Sequence, residues 1–486
     1  MLACSYDEAS GSRGVQAKGS DSEGAYSPCH GDMAIGGRRR FSFSALLDHH
    51  LLLPTLLITI LFQRAVADHE SNILNYTRHR QVSGMRLERI SRYLEKINKA
   101  PVLTIESPDG DLIDCVHKRK QLAFDHPLLK NHKIQKAPTE MPRGMNVTRD
   151  ENRNMEGEGG KENRPKEAVW QMWHRNGTWC PKGTVPIRRS TVDDVLRAKS
   201  LYEFGKKPPG MLPLSRRTAN VSPNDIFSNN DHEHAVAYTG LGSDSPQEIY
   251  GAKASINVWE PSIQVMNEFS LSQIWLLSGF FDGSDLNSIE AGWQVSPQIY
   301  GDSRPRLFTY WTSDSYGKTG CYNLLCSGFV QIDSRIAIGT AISPLSSYAG
   351  NQYEVTILIW KDPNVGNWWL SYGDNILVGY WPAELFTHLA DHATGVEWGG
   401  EVVNTRANDE HTSTQMGSGH FAEDGYGKAS YFRNIEIVDV TNTLRSVQNI
   451  TTIAETSNCY NIQTSYSKEW GTYFYYGGPG KNPQCP

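Results

Sequence analysis

Residues 288–326 read SIEAGWQVSPQIYGDSRPRLFTYWTSDSYGKTGCYNLLC. The runs AGWQVSPQIY and RLFTYWT are short, aromatic or β-branched, and bounded by Gly, Asp, Ser or Pro, the composition of strands on a pleated, half-buried surface. One carboxylate, Glu290, is set into them. A buried carboxylate is costly unless it has a partner or a task. Farther along, VEWGGEVVN (396–404) repeats the setting, and Glu401 follows a Gly pair that lets the backbone approach a neighbouring strand or a ligand closely. Glu290 and Glu401 are therefore a candidate acid/base pair. Glu397 stands an even step before Glu401, so it shares a face with it on a continuous strand, whereas a bulge at Gly399-Gly400 would change the facing.

Working outward, YGAKASINVW (250–259), QIWLLSGFF (273–281), YEVTILIW (353–360), NWWLSY (367–372), NILVGYW (375–381) and KASYFRNIEIV (428–438) have the same character. In the third, Tyr353, Val355, Ile357 and Ile359 fall on one face. From about residue 232 the chain predicts a mainly β fold, an antiparallel β-sandwich, in which AELFTHLADHA (383–393) is the one helix candidate. There is no internal repeat of the kind a propeller or solenoid requires.

The N-terminal half reads as a small α+β module. Leu87, Ile90, Leu94 and Ile97 recur at helical spacing between a capping Ser83 and Pro101. SPDGDLIDCV (107–116) and then QLAFDHPLLKNHKIQ (121–135) predict a turn at Pro108-Asp109-Gly110 and short extended runs. A second helix is predicted after Ser190-Thr191, including Val195 and Leu196. Residues 145–166 are polar and poor in large apolar side chains, a flexible insert. Residues 205–229, rich in Pro and carrying Arg216-Arg217, predict a loose connection open to proteolysis.

With 486 residues, 38% hydrophobic, 21% charged and a formal net charge of -6, the chain has room for several domains and a proper core. Basic residues do not collect beside aromatics, which speaks against nucleic acid. A secretory signal is legible but displaced inward: a basic segment after Met33, the apolar LLLPTLLITILF (51–62), and a small-residue site at Ala65-Val66-Ala67, so that cleavage leaves Asp68 first. The apolar run is short and broken by Pro54, so no stable membrane span is expected. Residues 1–32 then read as an extension ahead of the natural start, and the product as secreted, extracellular or in the cell wall. Cys4 and Cys29 lie in that extension, leaving Cys115, Cys180, Cys321, Cys326, Cys459 and Cys485, an even set suited to disulfides and without zinc spacing. Asn75, Asn146, Asn176, Asn220 and Asn449 are permitted glycosylation sites.

Three other features have plainer readings. DHEHAV (231–236) lacks the helical His spacing of zinc peptidases and reads as a strand entry. MGSGHF (416–421) is no nucleophile elbow and reads as a Gly-rich turn. The abundant Trp and Tyr fill a sandwich core before they form sugar-stacking platforms.

PDGDLIDCV, FDHPLLKNHKIQ and CPKGTVPIRR resemble the neprosin activation peptide. GAKASINVW, SIEAGWQVSPQIYGD, LFTYWTSDSY, TGCYNLLCSGFVQ, WWLSYGD, VGYWP, LFTHLADHA, WGGEVVN, MGSGHFAEDGYGKASYFRNI and YYGGPG resemble the neprosin domain of plant secreted proteins. The resemblance implies a glutamic endopeptidase, made as a zymogen, that cuts after proline in acid, on a β-sandwich similar to those of glutamic peptidases and concanavalin-like lectins. It divides the chain into a signal peptide (33–67), an activation peptide (68–217), a linker (218–231) and a catalytic-type domain (232–486). Its catalytic pair falls on Glu290 and Glu401. It also implies Cys321–Cys326, which CYNLLC would close as a short loop, and Cys459–Cys485, leaving Cys115 and Cys180 for each other.

Two carboxylates in one cleft do not both ionise easily, so one is left to act as base and the other as acid. The ionised Glu activates a water while the protonated one donates to the carbonyl oxygen or the leaving nitrogen. The scheme needs no cofactor and no metal. Its partners are a proline-containing peptide or protein and the chain's own pro-region as inhibitor. Two rival readings use the same residues or fold: a glycosidase working through the two carboxylates, and a non-catalytic cell-wall or glycan-binding sandwich.

Overall fold

The strands that carry Glu290 and Glu401 lie one strand apart in one of two antiparallel sheets packed face to face. The computed structural model describes residues 84–145, 170–207, 232–240, 247–279, 285–406, 410–448 and 450–486. By its contacts the chain divides into Met1–Gln81 and Val82–Pro486, and everything below concerns the second unit. The predicted signal peptide, the insert and most of the loose connection fall outside the described residues, as do the side chains of all five sequon asparagines.

The N-terminal module forms for local reasons. Helix α1 (Gly84–Ile97) buries Ile90 and Leu94 against Val195 and Phe204. Strands β1 (Pro101–Glu106) and β2 (Leu112–His117) make a hairpin over the predicted turn, where Gly110 takes φ +90° and donates to the Ser107 carbonyl at 2.9 Å. The strand β3 (Trp170–Gln171) comes next, and β4 (Thr184–Arg188) then adds to β2. Helix α2 (Val192–Arg197) starts in a capping box between Thr191 and Asp194. Cys115–Cys180 ties the module together.

Residues 118–129 differ from the extended runs read in the sequence: they form three 3-10 turns, Lys118–Lys120, Leu122–Asp125 and Pro127–Leu129. The side chains of His117 and His126 accept the free N–H groups at two of the starts, and Pro127 begins the third turn.

The larger domain is an antiparallel sandwich, as the sequence predicts. One sheet has seven strands in the order β10 (Cys321–Tyr322), β9 (Arg306–Thr312), β8 (Asn287–Val295), β7 (Ser270–Ser278), β16 (Gly395–Val403), β5 (His232–Thr239) and β19 (Thr451–Ala454). The other runs β11 (Val330–Gln331), β15 (Ile376–Trp381), β14 (Trp368–Tyr372), β13 (Glu354–Lys361), β6 (Gly251–Asn257), β17 (Ser430–Val438), β21 (Gly471–Gly477) and β20 (Asn461–Ser467), with β18 (Leu444–Ser446) beside β17. The strand β12 (Ile342–Ser343) pairs with β3, so the module adds a short strand to the domain. Cys321–Cys326 and Cys459–Cys485 close as the resemblance implies.

Strand alternation sorts the side chains. Val355, Ile357 and Ile359 of β13 and Val396, Trp398 and Val402 of β16 enter the core between the sheets. Trp173, Trp293, Trp360, Trp368, Trp369, Trp381 and Trp398, seven of the chain's 13 Trp, are fully buried, so most of the Trp content is packing. Two segments depart from expectation. PQIY makes one helical turn, α3 (Pro297–Tyr300), ended by Gly301 at φ +84°. AELFTHLADHA forms only the 3-10 turn Ala383–Leu385, because the Asn287 side-chain oxygen accepts the N–H groups of Thr387, His388 and Leu389 at 3.0, 3.0 and 3.3 Å and holds the backbone out of a helix.

Candidate active site

The site lies on the outward face of the seven-stranded sheet, where alternation puts Glu290, Gly292 and Gln294 of β8, Leu271, Gln273 and Trp275 of β7, and Glu397, Gly399 and Glu401 of β16. β16 keeps an unbroken register with both of its neighbours. The Gly pair therefore makes no bulge, and Glu397 and Glu401 share the face of Glu290.

Three cross-strand rows follow. Glu290 is level with Trp275 and Glu397, so the buried indole stands between those two carboxylates. The next row, Gly292–Gln273–Gly399, carries one side chain across three strands. A Cβ on Gly292 would lie 1.9 Å from the Ser272 oxygen, and one on Gly399, at φ +153°, would lie 2.3 Å from the Ala235 oxygen. Glycine is required there, and it leaves a low floor. The third row is Gln294–Leu271–Glu401–His234. Glu290 and Glu401 thus face each other diagonally across the glycine floor.

Glu290 is fully buried and well supplied with donors: Ser288 Oγ at 2.8 Å, Tyr316 hydroxyl at 3.0 Å, Gln273 Nε2 at 3.2 Å, and the Lys207 ammonium at 2.5 Å. Lys207 belongs to the segment the sequence presents as a loose connection. It is held among the rings of Tyr310, Tyr316 and Tyr322, with Nζ 4.8, 5.3 and 5.8 Å from their centroids. Its N–H reaches the Tyr310 hydroxyl at 3.3 Å, and Gly205 accepts from the Tyr322 N–H at 2.8 Å, so this segment is laid along the sheet edge. Burial alone would lower the ammonium's pKa; the carboxylates of Glu290 and Glu401 outweigh it and raise the value.

Glu401, 4% exposed, is approached by His232 Nδ1 at 2.6 Å and His234 Nε2 at 3.8 Å. Burial works to raise its carboxyl. The His232 hydrogen bond and the charges of His234, His232 and Lys207 overrule it and bring the pKa down to about 2. On its far side His234 meets Glu455, ring Nδ1 to carboxylate 3.2 Å. Gln294 is fully buried, with the Tyr322 side chain beside its amide.

Other contacts hold the N-terminal module down. Gln121 exchanges hydrogen bonds with the backbone of Gln331 on the edge strand β11, at 3.0 and 2.8 Å, in the manner of a strand partner. Gln171 does the same with Ala337 at 2.6 and 2.8 Å. Buried Arg306 reaches Asp111 of the module at 2.5 Å, and Asp362 accepts from Thr139 and Gln135.

Lys207, Tyr310, Tyr316, His232 and His234 are the site residues that sequence reasoning passed over. The two histidines had a signal, since an i, i+2 pair on a strand shares a face. Among the described residues the one cluster with metal-ligand types is His411, Cys459 and Cys485, and its cysteines are joined in a disulfide.

Fold and site define a class: a β-sandwich protein made with an N-terminal module that seats a lysine on a buried carboxylate. Residues 266–479 match the family model Neprosin and residues 104–238 match Neprosin activation peptide; the chain belongs to the neprosin family and has the layout of a zymogen. Among solved structures it is similar to Scytalido-glutamic peptidase with a peptide-based transition state analog, at 11% identity over 52% of this chain and 98% of that one, TM-score 0.27. It is also similar to SCP-B, a member of the Eqolisin family of peptidases, in complex with the tripeptide Ala-Ile-His, at 8% identity over 51% and 98%, TM-score 0.28.

Proposed function

We propose that this chain is the secreted zymogen of a glutamic endopeptidase that cuts after proline at acid pH, with Glu290 and Glu401 as its carboxylate pair. The observation that carries the reading is the ion pair between Lys207 and Glu290, 2.5 Å long and buried on both sides. A cation delivered by the module onto one carboxylate, in the field of a second, is how a chain would hold such a pair idle. Acid that protonates Glu290 removes the charge on which Lys207 is held, and the segment can then leave. The glycine floor between the carboxylates gives a substrate backbone room to lie close to the sheet.

In the uncovered site, ionised Glu401 takes a proton from a water as the water oxygen attacks the scissile carbonyl. Glu290 supplies a proton to the departing nitrogen, and the Gln294 amide is placed to donate to the developing oxyanion. Glu397 stays behind Trp275 in this scheme. The preference for proline rests on the family resemblance.

A glycan-binding reading has one observation in its favour: Tyr431, Trp470, Tyr473 and Tyr475 group their rings on the outer side of the nine-stranded sheet, with centroids 4.8 to 6.3 Å apart. Acid-treated protein assayed in parallel on proline-containing peptides and on polysaccharides separates the readings. Cleavage after proline supports the peptidase. Sugar hydrolysis, or sugar binding without cleavage of either substrate, overturns it.

A further inference from the structure

We propose that His232 is the positioning residue that fixes Glu401 as the base of the pair and leaves Glu290 as the acid. The proposal rests on the peptidase reading above and adds to it the residue that fixes its division of roles. The pair by itself is symmetric in chemistry, two carboxylates on one sheet face. The structure breaks the symmetry. Glu290 is met by hydroxyls, an amide and the ammonium of a segment that departs on activation. Glu401 is met by two imidazoles that belong to the sandwich itself, on the adjacent strand β5. His232 Nδ1 lies 2.6 Å from Glu401 Oε1, and the ring is held edge-on by Phe269 at 5.6 Å. His234, behind it, is anchored by Glu455 through both its backbone N–H, at 2.9 Å, and its ring. The arrangement is a line, Glu455, His234, Glu401, His232, with a carboxylate between two imidazole rings.

The charged groups facing Glu401 can be named from each element around it. β5 supplies His232 and His234, the module supplies Lys207, its own strand carries Glu397 four residues away, and β8 brings Glu290 across the glycine floor. The facing positions on β7, Leu271 and Gln273, are uncharged. When the module leaves, Lys207 goes with it and the histidines remain. They are then the groups that keep Glu401 ionised in acid, where a base is otherwise lost to protonation. They also turn its Oε1 toward β5, leaving Oε2 to serve the water. Carboxylate–imidazole contact of this kind is retained only if the ring can reach the carboxylate, and β5 provides it by placing His232 and His234 on one face.

The test uses acid-activated wild-type protein, His232→Asn, which keeps an N–H donor without the charge, and His232→Leu, which removes both. The acid limb of kcat/KM against pH should move up by about one to two pH units in the Leu variant and by less in the Asn variant. Plateau kcat/KM should fall no more than about tenfold. A merely structural histidine would lower activity at every pH and leave the limb in place. Carboxyl 13C NMR of Glu-labelled wild-type protein, with Glu401→Gln for assignment, reads the same point without any His232 variant having to fold: Glu401 should titrate well below the ordinary carboxylate range. An unmoved limb, or a Glu401 signal titrating in the ordinary range, overturns the proposal while the peptidase reading stands as long as Glu401→Gln is inactive. A fully active Glu401→Gln overturns the peptidase pair itself, and with it the role given to His232.

Discussion

Replacing Lys207 by Met should unlock the zymogen, and the size of the effect can be worked from its surroundings. The side chains of Lys207 and Glu290 are 3% and 0% exposed, so the substitution strands a carboxylate in a site with little water. Removing one member of a buried pair typically costs about 3–5 kcal/mol. Glu290 keeps three other donors, which places the cost near the lower end, about 3 kcal/mol. At roughly 2.1 cal/mol/K per residue, a unit of about 400 residues has an unfolding entropy near 0.85 kcal/mol/K, so the expected fall in Tm at neutral pH is about 3–4 °C. Differential scanning calorimetry of the intact zymogen reads it. Adding Glu290→Gln to the Lys207→Met background should recover most of the loss, because the stranded charge is gone, and the double-mutant cycle isolates the pair. The Lys207→Met zymogen should also release its module at a higher pH than wild type. A variant as stable and as latent as wild type would refute the reasoning.

Three further outcomes are expected. Burial raises the Asp362 carboxyl, but the hydrogen bonds from Thr139 and its other donors hold it below its ordinary value of 3.8. Its contribution to docking is therefore complete above that value and lost as pH falls through the lower folded one, and Asp362→Asn should make module release, followed by gel filtration across pH, less steep in acid. Gly292→Ala would put a Cβ 1.9 Å from the Ser272 oxygen, with the Gln273 backbone 2.6 Å away, so it should cost several kcal/mol or prevent folding, visible in soluble yield and Tm. Cys115 and Cys180 close a loop of 65 residues, and replacing both by Ala should destabilise the module by about 4 kcal/mol, read by limited proteolysis of the zymogen.

The sandwich was legible because short aromatic and β-branched runs between turn residues leave few other folds open, and the strand-like settings of Glu290 and Glu401, flanked by Gly and Trp, marked them as a candidate pair. What parity could not supply was the register between strands. Glu397 and Glu401 differ by an even step and look alike in sequence; only the pairing of β16 with β7 puts Trp275 beside one and Leu271 beside the other. Lys207 was invisible for a different reason. It lies in a Lys-Lys-Pro-Pro run with no periodicity, and its burial depends on tyrosines roughly a hundred residues away. The 3-10 turns of residues 118–129 were missed because side-chain caps from His117 and His126 compete with extended backbone, a local preference that apolar content does not reveal.

The central claim is that Glu290 and Glu401 act as one unit. It is tested most directly by the turnover of proline-containing peptides by acid-activated Glu290→Gln, Glu401→Gln, Glu397→Gln and the Glu290→Gln/Glu401→Gln double variant. Gln keeps the shape and removes the titrating proton, so the account predicts folded proteins of which the first two are inactive, the double variant scarcely worse than either, and Glu397→Gln still active. An inactive Glu397→Gln beside an active Glu401→Gln would move the pair across Trp275, and three active single variants would contradict the account.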